Sequence, residues 1–520
     1  MNEAQNVGAE FDVIVVGGAL SGAATATLLL QEMPGLRILI VEKSPAFTRR
    51  VGEATVEVST YFLTHSLGLT RYLNETQINK NGLRFWFANE RTETIDQCGE
   101  IGGRYLSRVP AYLVDRAALD EEVLRRAVAL GAQLRRPASV QKIELVPGGE
   151  QRVTLKDGER TETIRARWLV DASGVAAFLA RQQGWWRANL EHPTTAVWSR
   201  WKNVKDFEDP QVAKKFPKWA MHCYGVRGTA TNHLMGDGWW AWWIPLNGGD
   251  VSIGVTFDQR LVDFPQEGAI GDRLKNFLLK HPVAKELMAD AQWTEGDVHW
   301  RKNLPYFSTT FAGDGFSIVG DAAGFIDPFY SPGMDWISFT ATRTKNLILA
   351  QLRGECIEEK IVTHNADFSR SYQRWFEGIY RDKYEYFGDF DLVKPAFLLD
   401  LGFYYLGVAA QPFRRGEQAL CEPLFSTKPS VPFYHFMRIY NRRFAQMARS
   451  RRERKVLGQK NNCRRFMFGG YTFGAGSFVP LIKAIGSWFF LEITEGWRTW
   501  FQPKRVTNTK TVAPSLPETA

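Results

Sequence analysis

The chain has 520 residues, 44% of them hydrophobic and 23% charged, a balance that excludes a disordered protein and suits one large domain or two to three ordinary ones. A net charge of +9 favours acidic partners, such as a carrier protein, an anionic lipid or an anionic substrate, and nucleic acid is not among those expected. The five cysteines, Cys98, Cys223, Cys356, Cys421 and Cys463, have no CxxC spacing, which argues against a metal site or a disulfide framework and fits a reducing, cytoplasmic setting.

The first residues are polar and acidic, without a signal-peptide pattern, and no run of eighteen uncharged apolar residues follows, so no spanning helix is expected. Phe11 to Val16 predicts a strand that runs into Gly17-Gly18-Ala19-Leu20-Ser21-Gly22. An Ala/Leu-rich helix follows to Met33-Pro34-Gly35, and a second strand ends at Glu42. This is a βαβ unit with a dinucleotide fingerprint, Ala19 standing where GxGxxG has its second glycine. A diphosphate would sit on the helix N-terminus, and Glu42 would accept ribose hydroxyls.

Gly52 and Glu53, in Arg50-Val51-Gly52-Glu53-Ala54-Thr55, are further candidate cofactor contacts. A strand end near Tyr112 precedes a helix carrying Leu119, Leu124 and Ala127, which Gly131 closes. Alternating strands are expected over 133–166, then a separate strand from Arg167 to the small-residue turn Ala172-Ser173-Gly174. Residues 185–305 read as a tryptophan-rich β-sheet region on the substrate side, with Trp239 to Pro245 its clearest strand.

Phe316 to Val319 predicts a buried strand leading to Gly320-Asp321-Ala322-Ala323-Gly324. Asp321 can accept from a ribityl or ribose hydroxyl, and the small residues let backbone lie against a flat ring or a phosphate. Together with the fingerprint three hundred residues earlier, this motif indicates a flavin enzyme that binds FAD. The expected class is α/β: a discontinuous Rossmann-like FAD domain (1–184, with 306–345 returning to it), the 185–305 sheet region, a mainly helical 346–506, and a disordered tail over 507–520. The late segment includes a basic cluster from Arg442 to Arg465 and an aromatic amphipathic stretch from Phe478 to Phe501. With one fingerprint, assigned to FAD, no nicotinamide site is read, and a separate flavin reductase is expected to deliver FADH2.

Trp240-Ala241-Trp242-Trp243-Ile244-Pro245 fits WxWxIP, and Phe325-Ile326-Asp327-Pro328-Phe329-Tyr330-Ser331-Pro332-Gly333 fits FxxPxxSxG. On these motifs the chain resembles the flavin-dependent halogenases, within the single-fingerprint flavin monooxygenases. Lys80-Asn81-Gly82-Leu83-Arg84-Phe85 is similar to the segment that carries that family's catalytic lysine. The resemblance implies that reduced flavin and oxygen form a C4a-hydroperoxide, that chloride or bromide becomes hypohalous acid, and that Lys80 presents this oxidant to an aromatic substrate. It also implies that Trp240 and Trp242 wall the flavin off from the substrate, and that Phe325, Pro328, Ser331 and Gly333 form the halide and tunnel segment. An exposed loop lysine is the alternative for Lys80, and core packing the alternative for the indoles.

Two departures matter. Halogenases of free tryptophan carry a glutamate where Tyr330 stands, and a phenol is a poor base at neutral pH. The resemblance therefore falls on the phenol- and pyrrole-type branch, with an electron-rich aromatic as substrate, free or carrier-tethered. Pro332 lacks one of the backbone N–H groups with which the family holds halide. Two other readings stay open: a flavin monooxygenase or reductase without halide use, and a membrane-associated flavoprotein of lipid or isoprenoid metabolism using Phe478 to Phe501 as an interfacial helix.

Overall fold

The computed structural model describes residues 10–223 and 225–500; the tail over 507–520 lies outside them. Five parallel strands form the centre of an eight-stranded sheet, in the order Phe316–Ile318, Arg160–Asp171, Phe11–Val16, Ile38–Val41, Gln133–Arg135. Val13, Ile14, Val15 and Ile38 to Ile40 are fully buried, as befits parallel strands covered on both faces. The helix Leu20–Glu32 packs there against Arg116–Ala129 and Gly333–Leu352. Asp115 caps the second of these, its carboxylate accepting from the amides of Ala117 and Ala118.

Arg160–Asp171 is one twelve-residue strand, not the end of a meander followed by a separate strand. Its first half pairs antiparallel with Gln151–Asp157, and there its side chains alternate between core and solvent. Its second half enters the parallel sheet, where Trp168 to Asp171 are all buried, so the sequence pattern changes mid-strand.

A nine-stranded sheet stands beside the first. Trp239–Pro245 lies near its middle, between Thr231–Gly236 and Val251–Asp258. The sheet also reaches outside 185–305 for Leu83–Phe87, Gly99–Gly103 and, from the late helical segment, Arg465–Phe468. Trp240, Trp242 and Ile244 face the main core; Ala241 and Trp243 face a second core under the helices Ile270–Leu278 and Pro282–Leu287. Glu100 pairs with both Arg84 and Arg227, all three fully buried, and Arg84 donates to the Gly103 carbonyl at 2.6 Å. The strand that follows Lys80 is pinned by these bonds.

Two helical stretches, Phe390–Cys421 and Ala475–Thr494, are long and apolar enough to cross a membrane by length and composition alone, a test that the core helix of a globular protein also passes, and neither holds eighteen consecutive uncharged residues. Lys483 and Glu492 interrupt the apolar run of the second without making it polar. Of the apolar 18-residue window in each, 61% is buried within the protein in the first stretch and only 28% in the second.

Candidate active site

The glycine turn is dictated by close approach. Gly17 has φ +102°, and a Cβ there would lie 2.5 Å from the Ala172 carbonyl; a Cβ at Gly22 would meet the Gly17 carbonyl at 1.9 Å. Ala19 precedes the helix without a side-chain cap or an acid in the first turn, so the first amides are left for an anion. Glu42 accepts from the amides of Gly18 and Ser44, both at 2.8 Å, strapping the turn to the second strand, and its carboxylate retains lone pairs for a sugar hydroxyl.

Gly320, at φ +58°, rests on Ser21: a Cβ would lie 2.4 Å from its hydroxyl. The two motifs that sequence spacing separates by three hundred residues are thus in contact. Burial pushes the Asp321 carboxyl above its usual range, opposed by the charges of Arg116 and Arg301. Arg116, against which Gly52 packs, is a residue the sequence reading missed. Glu53 is turned inward onto Arg200, 2.8 Å away, and burial raises it to about 7. Its carboxylate is engaged within the protein.

The segment from Phe325 to Gly333 forms a partition. On one side Asp321, Gly324, Phe325, Pro332 and Gly333 border a small cavity of about 20 Å³. On the other, Tyr330 and Pro332 face a cavity of about 830 Å³ that also holds Lys80. Tyr330 (φ +68°) and Ser331 (φ +57°) are consecutive left-handed residues, each costing roughly 1–2 kcal/mol. Hydrogen bonds hold them there: the Ser331 amide donates to Pro328, Tyr380 donates to the Phe329 carbonyl at 2.9 Å, and Tyr330 donates to Asp400 at 3.0 Å. Burial pushes the Tyr330 phenol well above its ordinary value, so it is a donor and not a base.

Trp240 supports this partition from behind. Its indole lies edge-on to Phe329, 5.1 Å between centroids, and donates to Tyr384, which donates to Asp327. Trp242 donates to Ser252 at 3.2 Å. Neither indole lies on the wall of either cavity.

Lys80 is buried, its ammonium donating to the Thr55 carbonyl at 2.7 Å. Burial pushes it down to about 8, against the pull of Glu57 and Asp335. Both acids line the same cavity and were not singled out from sequence. Asp335 lies in the first turn of Gly333–Leu352, accepts from the Ser59 amide (2.9 Å) and Tyr404 (3.1 Å), and is raised by burial to about 7. Glu57 accepts from Tyr405 and is also raised by burial. An acid two residues past the FxxPxxSxG motif was the available signal for Asp335. A proton acceptor near 7 beside a lysine near 8 suits acid–base chemistry at neutral pH.

A Rossmann-type turn, with a second strand-turn motif packed on its Ser21, defines a flavoprotein scaffold made to hold FAD. The model of the FAD binding domain family matches residues 10–365, and the chain belongs to that family. The flavin-dependent halogenase chlA of Dictyostelium discoideum is 27% identical over 72% of this chain and 63% of its own length. A pyrrole-2-carbonyl peptidyl-carrier-protein chlorinase of Pseudomonas fluorescens is 24% identical over 72% of this chain and 81% of its own. The crystal structure of halogenase PltM with phloroglucinol and FAD superposes with a TM-score of 0.71, covering 92% of this chain and 96% of that one at 20% identity. The fold is that of these halogenases.

Proposed function

We propose that this protein is an FADH2-dependent halogenase that places an electrophilic halogen on an electron-rich aromatic, a phenol or a pyrrole, free or carrier-bound. The observation that carries the reading is Lys80: a buried lysine, lowered to about 8, in a large cavity that the FxxPxxSxG segment divides from the flavin side. Reduced FAD supplies the electrons that, with oxygen, turn a halide into a hypohalous oxidant. Gly17, Gly18, Ala19, Ser21, Gly22, Glu42, Gly52, Asp321 and Gly324 line its cradle, and the uncapped helix start fits a diphosphate. Glu53 fixes the neighbouring loop through Arg200. Lys80 holds the oxidant by hydrogen bonding, and Asp335 or Glu57 takes the ring proton. A panel of phenols, pyrroles and indoles with bromide and a separate flavin reductase, read by mass spectrometry, tests this. Failure of every member to take bromine removes the reading, and NADH oxidation by the protein alone favours the monooxygenase alternative.

The halide is the second expected result. Pro332 precedes Gly333–Leu352 and borders both cavities, so the site has one backbone donor fewer, with the Gly333 and Met334 amides left free by helix geometry. A hydrogen bond to a charged group is worth about 1.5–3 kcal/mol. Chloride, the more strongly hydrated ion, suffers more from that loss, and bromination outruns chlorination at equal concentration. Pro332→Thr narrows the gap. Competition of the two halides in one vessel, read by isotope pattern, decides; a chloride majority from the native protein shows that the missing donor is not limiting.

One feature favours an anionic lipid surface as a further partner. The helix Phe478–Thr494 turns Ile482, Phe489, Phe490 and Ile493 to solvent, continued by Trp497 and Trp500, with Lys483 and Arg498 exposed among them. A second copy would bring those cations against their like, whereas the anionic cytoplasmic leaflet complements them. All five cysteines are free thiols, which suits that compartment. The protein is expected to sediment with anionic vesicles, less so at high salt, and Phe490→Glu to weaken binding. Equal sedimentation with neutral vesicles removes the electrostatic part of the case, and none at all removes the lipid.

A further inference from the structure

The cavity that ends at Lys80 is much larger than one ring needs. Its volume is about 830 Å³, whereas an engineered apolar cavity of about 150 Å³ already takes benzene. A bare phenol or pyrrole beside Lys80 would fill roughly a fifth of it. Away from Lys80, Glu57 and Asp335 the wall is mainly hydrocarbon and aromatic, with Phe397, Leu401, Phe403, Met437 and Leu481 along it. Of the other charged groups on the wall, Asp400 is matched by Lys383 and Arg415 by Glu422, and Arg108 stands exposed at the mouth beside Tyr105 and Leu106. On the rim stand four exposed apolar side chains from three segments, Tyr105 and Leu106, Phe433, and Phe478.

We propose that the cavity takes an amphiphilic aromatic, with its electron-rich ring at Lys80 and an unbranched hydrocarbon arm of several carbons lying along Phe403 and Leu481 toward Phe433 and Phe478. The fate of the ring rests on the halogenase reading above; the binding of the arm does not. A phosphopantetheine arm is the competing occupant of so long a space. Its amides and hydroxyl would give up water for a wall that offers little in return, at a cost that hydrocarbon does not meet.

The test uses the full-length protein loaded with FAD and a series of 5-alkylresorcinols from methyl to heptyl. Dissociation constants come from quenching of tryptophan fluorescence, and product from mass spectrometry with a flavin reductase and bromide. The dissociation constant is expected to fall about fourfold per methylene, a hundredfold or more from methyl to pentyl, with kcat unchanged. Leu481→Trp, which narrows the arm, is expected to stop the gain at a shorter chain; if that variant fails to fold, the native series decides alone. Affinity that is flat or worsens with chain length overturns the proposal, as does a pantetheinyl thioester that outbinds the alkyl series. Graded affinity without halogenation of any member leaves the arm standing and removes the halogenase reading. Halogenation at one efficiency for every chain length does the reverse.

Discussion

Lys80→Met is expected to abolish halogenated product while making the folded protein more stable at neutral pH. The ammonium is buried, and its pKa falls from 10.5 to about 8, chiefly through that burial. At about 1.4 kcal/mol per unit, the native state carries roughly 3 kcal/mol of penalty for keeping the charge inside. Replacement also loses the hydrogen bond to the Thr55 carbonyl, worth about 1.5–3 kcal/mol, so the net gain is on the order of 1 kcal/mol. Its pH dependence gives the cause. Because the folded-state pKa is the lower one, the penalty is full below about pH 8, shrinks between 8 and 10.5, and disappears above. Urea denaturation of both proteins at pH 7 and pH 9.5 should show the variant's advantage shrinking at the higher value. FAD affinity should not change, since Lys80 is not part of the cradle. A variant that still makes product takes Lys80 out of the mechanism; one equally destabilised at both pH values shows that the lysine was not held at a cost.

That trade is what a functional site leaves in a fold, and it bears on what the sequence could reveal. The flavin cradle was readable because each part is a local rule. Gly17 and Gly22 sit where a Cβ would strike backbone, and strand, turn, helix and acid follow one another at fixed spacing. The return of Gly320 to Ser21 was inferable only because both motifs address one ligand. Resemblance pointed to Lys80, whereas of the acids near it Asp335 had only its place two residues past the motif as a signal, and Glu57 had none. Glu57 and Asp335 come from different helices and meet only across the cavity, and no periodicity brings them together. The indoles show the opposite limit. WxWxIP alternates correctly along its strand, yet Trp240 and Trp242 stand behind the partition and not on a cavity wall, because Phe329 lies over Trp240. The strand Arg465–Phe468 escaped notice inside a basic, helical stretch, since its pairing partner, Gly99–Gly103, is over three hundred residues away.

Asp400 should prove the costliest single loss on the substrate side. Its buried carboxylate accepts from Lys383, from Tyr440 at 2.6 Å and from Tyr330 at 3.0 Å. Asp400→Leu leaves the Lys383 ammonium in the interior without a counter-charge, a loss of about 3–5 kcal/mol. The double variant Asp400→Leu/Lys383→Met replaces the pair by hydrocarbon of similar size and should recover most of that stability, leaving a deficit of about 1–2 kcal/mol from the unpaired tyrosine hydroxyls. Turnover should not recover with it. Tyr330 and Ser331 are both left-handed, and the bond from the Tyr330 hydroxyl to Asp400 is among those that keep them so. Once it is gone the partition relaxes in both variants, and kcat should stay at least tenfold down. Thermal or urea denaturation beside product formation separates the two effects. A double variant with native turnover would reduce Asp400 to half of a buried ion pair. One that stays 3–5 kcal/mol below the native protein would place the value of the carboxylate in its bonds to the tyrosines.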